Sequence, residues 1–595
     1  MTRAVGIDLG TTHALVAYVN AAGHTEILPH REGNLLVPSV VMFDDTHTFV
    51  GEEAKLRGKT HPDRLAACVK LDMGRASYSQ SICGLRIPPE VIQACILNKL
   101  KQQMDFSLGQ DVGVVIAVPA GFNELQRRAT TTAGEMAGLN VLGVLNEPVA
   151  AVLAFSEHLA YPTAGGAEER LNYLVYDLGG YTFEATLLAV QPWAFTTLAT
   201  AQDPHLGGHA WDMRLVDYLA EQFIRQHGID PREHPTSLEN LLHRAAKAKI
   251  ALGVRDATTV TVSHEGKSIN VPITRTQFLE STADLLQRTI DMVERLLSEV
   301  GLSWQDVPRV ILAGGATRMP EIRRVLSQRS GFEPLCFVSP EECVARGAAI
   351  YAGNLLAAQQ SSVHQPTFSV RNVSTHSLGI QGVDHKGRKV NKILIPRGTP
   401  LPAAATEDFV TKTSAQKSIT VIVLEGEESD PAKCTTVGRA VLRDLPDDLT
   451  EEWPVQVTYA YSADGKISVE ARVRYTDRSV HLEVHRAREM SRNQLQRWRR
   501  AVQSEQGIAA VKQVLAEEHR ERMARSVPDA SDASDQPEPS QTGVLSFLRR
   551  YMPFAFKHTA KQGESDQADK ASADGSSTAS NIEQDRSEKP GNDAS

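Results

Sequence analysis

Two short stretches of the chain carry residues in an order suited to holding phosphate. Val5-Gly6-Ile7-Asp8-Leu9-Gly10-Thr11-Thr12 lies near the start, and Leu174-Val175-Tyr176-Asp177-Leu178-Gly179-Gly180-Tyr181-Thr182 repeats its form. In each, an apolar run leads to Asp, then glycines, then hydroxyl residues, then a second apolar run. That order reads as strand, tight turn, strand. Glycine lets a backbone approach an anion closely, and turn N–H groups with hydroxyls can bond phosphate oxygens. A carboxylate is of no use against phosphate, but it can hold the waters of a Mg²⁺ that bridges phosphates. One such turn is an ordinary hairpin. Two, with Asp at the same offset, indicate a duplicated lobe and a nucleotide clamped between the copies.

Other residues can complete the chemistry. Lys70, in Cys68-Val69-Lys70-Leu71, can bring an ammonium to a γ-phosphate, although a lysine taken alone is usually a solvated surface residue. Glu147, in Asn146-Glu147-Pro148-Val149-Ala150-Ala151, can orient an attacking water or simply face a helix dipole. Gly314-Gly315-Ala316-Thr317-Arg318-Met319-Pro320 follows a strand and opens a helix. It suits a base and ribose lying on the glycines with Arg318 stacked nearby, and a plain strand–helix turn explains it as well in isolation. His205 and His209 flank Leu206-Gly207-Gly208 and read as incidental to a turn, because no His/Cys cluster has zinc spacing.

These residues need elements to position them. At 595 residues the chain exceeds one core and calls for several domains. Its net charge of -9 argues against a general nucleic-acid binder. Six scattered cysteines with no CxxC pair read as reduced thiols, and no run is apolar enough to span a bilayer, so the expected location is cytoplasmic. No secretory signal precedes the first strand. Up to about residue 355, strand-like runs such as Val112–Val118 and Val310–Ala313 alternate with helical spacing, as over Asn123–Gly138 and Met319–Leu326. From about 369 to 485 the pattern becomes all-β, with runs at 419–424, 455–461, 467–473 and 480–484 and a turn at Asp464-Gly465. Residues 489–525 return to helix, with Leu495, Trp498 and Val502 on one face and arginines around them (Arg486, Arg488, Arg492, Arg497, Arg499, Arg500), read as a solvated face. Beyond 526 the composition cannot form a core, apart from an apolar island at 543–556 with the character of a docking or membrane-surface segment.

Together and in this order, the motifs resemble the 70-kDa heat-shock protein (DnaK-like chaperone) family, in a divergent form. The resemblance runs from residue 4 to about 485. It includes Val118-Pro119-Ala120, Asn123 to Arg127, His205-Leu206-Gly207-Gly208, Ala248-Lys249-Ile250, Gly347-Ala348-Ala349, Ser377-Leu378-Gly379-Ile380 and Leu424-Glu425-Gly426-Glu427. It implies an α/β actin-like ATPase domain of two ribonuclease-H-like lobes (1–358), a linker (359–373), a peptide-binding β-sandwich (374–487), a short helical lid (488–525) and a disordered tail (526–595). By position, Asp8 and Asp177 would organise Mg²⁺ through water. Gly10, Thr11, Thr12, Gly179 and Gly180 would cradle phosphates. Lys70, Glu147 and Thr182 would surround the attacking water. Gly207, Gly208 and Lys249 would line the nucleotide, and Gly314, Gly315 and Arg318 would hold the adenosine. Ile380, Phe409, Ile419 and Val421 would grip an apolar side chain. The implied activity is an ATP-dependent chaperone for unfolded segments, in protein folding and the stress response. ATP or ADP, Mg²⁺ and candidate K⁺ would be its cofactors. A J-domain protein and a nucleotide-exchange factor would be its helpers, and the chain itself would be a monomer that binds no nucleic acid.

Some positions depart from the family. Tyr181 replaces a third glycine, where a side chain would crowd the γ-phosphate or forbid a left-handed backbone. Glu184 stands for Asp, Ala246 for a Glu that meets the ribose, and Gly121 for an aromatic residue. Arg371 sits in the middle of the linker Thr367-Phe368-Ser369-Val370-Arg371-Asn372-Val373, where the family has apolar residues, and brings interdomain coupling into question. The segment between Lys70 and Val112 is short. The competing reading is therefore a peptide holdase or scaffold with a slow or uncoupled ATPase. A small-molecule kinase, which shares the actin-like fold, has no need of the β-domain.

Overall fold

A computed structural model describes residues 2–30, 33–156, 170–191, 194–360, 368–384, 386–411, 413–443, 445, 449–462, 467–476, 478–483 and 490–525. The tail with its island, the Asp464-Gly465 turn, Arg486 and Arg488 lie outside these residues.

The duplication expected from the two Asp-Gly turns is a duplication of topology. In lobe I, β1 (Arg3–Leu9) pairs antiparallel with β2 (His13–Val19) and parallel with β3 (Val112–Val118), which pairs parallel with β4 (Val141–Asn146). In lobe II, β5 (Leu171–Leu178) pairs antiparallel with β6 (Phe183–Gln191), and β6 pairs antiparallel with β7 (Ala194–Asp203). β5 also pairs parallel with β8 (Arg309–Ala313). Every residue of β3 is buried, as a strand covered on both faces requires. Lobe I carries α1 (Pro89–Leu108) and α2 (Glu124–Ala137). The cap expected at Asn123 is a full capping box with Gln126.

Two helices, α3 (Glu147–Ser156) and α8 (Cys343–Gln360), cross where the lobes meet. Gly347 permits that crossing, because a Cβ there would lie 1.7 Å from the Ala150 carbonyl oxygen. Lobe II is covered by α4 (Gly208–His227), α5 (Pro235–Val254), α6 (Arg275–Glu299) and α7 (Pro320–Ser330). Among the described residues no helix is long and apolar enough to cross a membrane.

The described end of the linker, from Phe368 on, does not hang free. Its strand β9 (Ser369–Arg371) extends the lobe II sheet, parallel to β7, with Ala194 opposite Ser369 and Thr196 opposite Arg371. The side chains alternate as in any strand. Phe368 and Val370 pack toward the core, Phe368 edge-on to Phe195 with ring centroids 5.6 Å apart. Ser369 and Arg371 face solvent. The Arg371 charge is therefore never buried, and it does not prevent the linker from docking.

The all-β stretch is a sandwich of two four-stranded sheets. One holds β10 (Leu378–Val383), β11 (Lys389–Ile395), β13 (Ile419–Glu425) and β14 (Thr435–Leu442). The other holds β12 (Ala403–Val410), β15 (Pro454–Tyr461), β16 (Ile467–Val473) and β17 (Ser479–Glu483). Alternate residues of β15 (Val455, Val457, Tyr459 and Tyr461) turn inward to a core shared by both sheets.

The C-terminal helices α9 (Arg492–Ser504) and α10 (Gly507–Arg525) form a hairpin seated on lobe I. The face predicted from Leu495, Trp498 and Val502 is the face that docks. Trp498 is fully buried in one cluster with Ile508, Val511 and lobe I residues of α1 and α2, and its Nε1 donates to Glu518 at 3.0 Å. Backbone bonds fix the hairpin turn: Thr48 N–H donates to the Glu505 carbonyl, and Ile508 N–H donates to that of Asp44. Arg492, Arg499 and Arg500 are exposed, as expected of a solvated face.

Trp498→Ala should remove about 3–5 kcal/mol of this packing. The expected result is a rise in amide hydrogen exchange confined to 490–525 and the 44–48 turn. Arg500→Ala, on the exposed face, should leave exchange unchanged.

Candidate active site

Asp8 and Asp177 occupy equivalent places in the two lobes. Asp8 lies opposite Leu15 of β2 and Ala117 of β3, and Asp177 lies opposite Glu184 of β6 and Ala313 of β8. Each stands where its strand gives way to a glycine turn, and the two turns meet. A Cβ on Gly180 would lie 2.3 Å from Thr12 Cγ2. A Cβ on Gly10 would lie 2.4 Å from the His13 carbonyl oxygen. No residue of either turn has a left-handed backbone. The glycines are there for closeness. The expected conformational obstacle at Tyr181 therefore does not exist.

Lys70 and Glu147, 77 positions apart in sequence, form a buried ion pair with Nζ 2.5 Å from Oε1. Lys70 sits on a single helical turn, Val69–Asp72, and Glu147 is the first residue of α3. Burial opposes the Lys70 charge, but Glu147 and Asp8 outweigh it and raise its pKa. The carboxylates around this one ammonium are in excess. Burial and the Glu147 charge push Asp8 up to about 7, against the pull of Lys70. Burial, Glu147, Glu184 and Asp8 together hold Asp177 well above the usual carboxylate range. Burial and then Glu147 push Glu184 up to about 7. Hard oxygen donors with surplus negative charge fit a hydrated Mg²⁺, which would reverse these shifts.

The residues expected on the adenosine side are tied to the same floor. Gly314 has φ 78°, and a Cβ there would lie 2.4 Å from the Leu178 carbonyl oxygen and 2.6 Å from Asp177 Oδ1. Arg318 makes a bidentate pair with Glu341, at 2.5 and 2.6 Å, so its guanidinium plane is fixed. Gly207 and Gly208 open α4, and Lys249 of α5 donates to the Gly208 carbonyl at 2.7 Å and pairs with Asp212 at 2.9 Å. Thr182 closes the second turn, its carbonyl accepting the Gly179 N–H.

Asp212, Glu341 and Thr200 act here without having been singled out from the sequence. Glu341 is 23 positions from Arg318 and Thr200 is 16 from Glu184, so only the fold announces either pairing. Glu184 reaches further than an Asp at this position would. Its carboxylate accepts the Ala120 N–H at 3.3 Å and the Thr200 hydroxyl at 3.0 Å.

The peptide-cleft candidates lie in a different region. Ile380 and Val421 are buried in the sandwich core, and Phe409 and Ile419 are partly buried against it.

A family model described as Hsp70 protein matches residues 4–589. Chaperone proteins DnaK from Thermotoga petrophila and Thermotoga maritima are each 37% identical over 477 residues, 79% of this chain and 78% of theirs. A chaperone protein DnaK from Halobacterium salinarum is 36% identical over 477 residues, 79% of this chain and 73% of its own.

The raised Glu184 carboxyl makes folding stability depend on pH. The folded state holds its proton more tightly than the unfolded chain does, so folding loses stability as pH rises from the usual Glu range to about 7. Glu184→Gln keeps the shape without the charge. In nucleotide-free protein it should match wild type near pH 4 and exceed it by up to about 3 kcal/mol at pH 8. Denaturant unfolding at several pH values measures this, and a pH-independent difference contradicts it.

Proposed function

The chain belongs to the Hsp70 family, and from that premise we propose how its residues divide the family's activity. It is an ATP-hydrolysing chaperone that uses ATP or ADP with Mg²⁺ and binds apolar segments of unfolded polypeptides. It acts within a chaperone system of such polypeptides and co-chaperones.

In our reading Asp8 and Asp177 would hold a hydrated Mg²⁺, which would offset the charge of the phosphates. Gly10, Thr11, Thr12, Gly179 and Gly180 present amides and hydroxyls to the phosphates. Lys70 fixes Glu147, whose carboxylate accepts a hydrogen bond from the attacking water, and Thr182 stands beside it. Such a site accelerates hydrolysis by position and electrostatics. Gly207, Gly208 and Lys249 line the nucleotide, and Gly314, Gly315 and Arg318 carry the adenosine. The observation that supports this assignment best is the buried Lys70–Glu147 pair close to turns that touch at Gly180 and Thr12.

The domains divide as 1–358, linker 359–373, sandwich 374–487 and helical segment 488–525. Phe409 and Ile419, only partly buried, grip the apolar peptide, and Ile380 and Val421 of the sandwich core lie behind them. With the hairpin seated on lobe I, neither of its two helices caps the sandwich, and peptide exchange is fast. A J-domain protein and a nucleotide-exchange factor serve the cycle, in the cytoplasm.

Glu147→Gln should lower ATP turnover about 10²–10³-fold while nucleotide still binds. Phe409→Ser should weaken binding of a fluorescent apolar peptide about tenfold. Turnover undiminished in the first variant, or peptide affinity unchanged in the second, contradicts the assignment.

A further inference from the structure

Tyr181 lies between Gly180 and Thr182, in the turn that meets Thr12 at Gly180. Its backbone has little room to move. A Cβ on Gly207 would lie 2.3 Å from the Tyr181 carbonyl carbon and 2.5 Å from its amide nitrogen. Two backbone bonds fasten the turn to the start of α4, from Gly208 N–H to the Gly179 carbonyl at 2.9 Å and from His209 N–H to the Gly180 carbonyl at 2.7 Å. The start of α4 is fastened in turn to α5, where Lys249 donates to the Gly208 carbonyl and pairs with Asp212.

A phenol ring on so fixed a backbone moves only about its side-chain torsions, among a few staggered wells. One well is filled: the ring stacks on the His209 imidazole, with centroids 4.6 Å apart and planes at 23°. His209 is itself bonded to the turn through its N–H, so ring and platform share one frame. Burial and the nearby Lys249 push the His209 imidazole down to about 4, so at neutral pH the platform is flat and uncharged. An aromatic pair of this kind biases a side-chain equilibrium about two- to tenfold. The space between the two phosphate turns begins one residue away, where Gly180 faces Thr12. A ring released from His209 has that space to turn into.

We propose that His209 is a positioning residue that parks the Tyr181 ring over the first turn of α4 and so keeps the second phosphate turn open to nucleotide. The proposal rests on the nucleotide reading given above. It also accounts for a bulky residue in a turn whose other members are small: the side chain is tolerated because its platform holds it aside. Without the platform, only the fraction of molecules with the ring turned away can accept phosphate, and apparent affinity falls by that fraction.

The test uses full-length protein, steady-state ATP turnover and equilibrium binding of a fluorescent ATP analogue. His209→Ala should raise KM and the analogue's Kd about threefold or more while kcat stays within about twofold, because the ring competes for space and leaves the chemistry alone. His209→Phe keeps a flat partner and should stay within about twofold of wild type. Tyr181→Gly has no ring to park and should not raise KM. In the double variant of Tyr181→Gly with His209→Ala the loss should vanish, whereas a merely structural role for the stack would leave the double variant impaired. Wild-type KM in His209→Ala, with the melting temperature preserved, overturns the proposal. So does a raised KM in Tyr181→Gly, or a double variant as weak as His209→Ala. His209→Phe as weak as His209→Ala overturns it too, since the imidazole would then be a direct phosphate ligand. Wild-type protein that binds no analogue contradicts the nucleotide reading itself, and the proposal falls with it.

Discussion

Much of what joins the nucleotide cleft to the peptide sandwich passes through one edge strand, β7. An edge strand carries a row of unpaired N–H and C=O groups that require a partner. One end of β7 is satisfied by the linker strand β9, from Ala194 to Thr196. Near the other end, the Thr200 carbonyl takes the guanidinium of Arg397, a sandwich residue, at 2.8 Å. The inner side of β7 is paired along its length with β6, which begins at the phosphate turn. β6 and then β7 connect that turn to both sandwich contacts. Closely packed strands transmit strain because they cannot compress.

Side chains reinforce the same route. Glu184, one turn away from Asp177, holds Ala120 and Thr200 together. The neighbour of Ala120, Gly121, offers its carbonyl to the His376 imidazole of the sandwich segment at 3.2 Å. At the linker's end Asn372 meets Asn146 at 3.1 Å, one residue before Glu147. Groups that face the nucleotide thus lie one residue from groups that face the sandwich. Such a layout gives two states a large difference in contacts, which is what a ligand needs in order to shift their populations.

The legible parts of the sequence were those with local physics. The twin turns announced themselves because close approach demands glycine, and each strand ends in an Asp at the same offset. The cap at Asn123 and the apolar face of α9 were equally local. The Lys70–Glu147 pair was legible only through the family resemblance, since no pattern links positions 77 apart. Arg371 looked disruptive because a linear reading of apolar content ignores the two-residue period that turns it to solvent. Tyr181 looked like an obstacle because backbone conformation at a turn is not visible in residue types. The seat of the hairpin on lobe I was not visible either: an amphipathic face reveals that a helix is buried, but not against what.

Communication between the nucleotide cleft and the peptide cleft would run through β7 and the docked linker strand β9. The most direct measurement is the release rate of a fluorescent apolar peptide from full-length protein, with Mg·ATP and with Mg·ADP. The structure predicts markedly faster release with ATP, despite Arg371 in the linker. Equal release rates, in protein that binds both peptide and nucleotide, would contradict it and leave a holdase with an uncoupled nucleotide site.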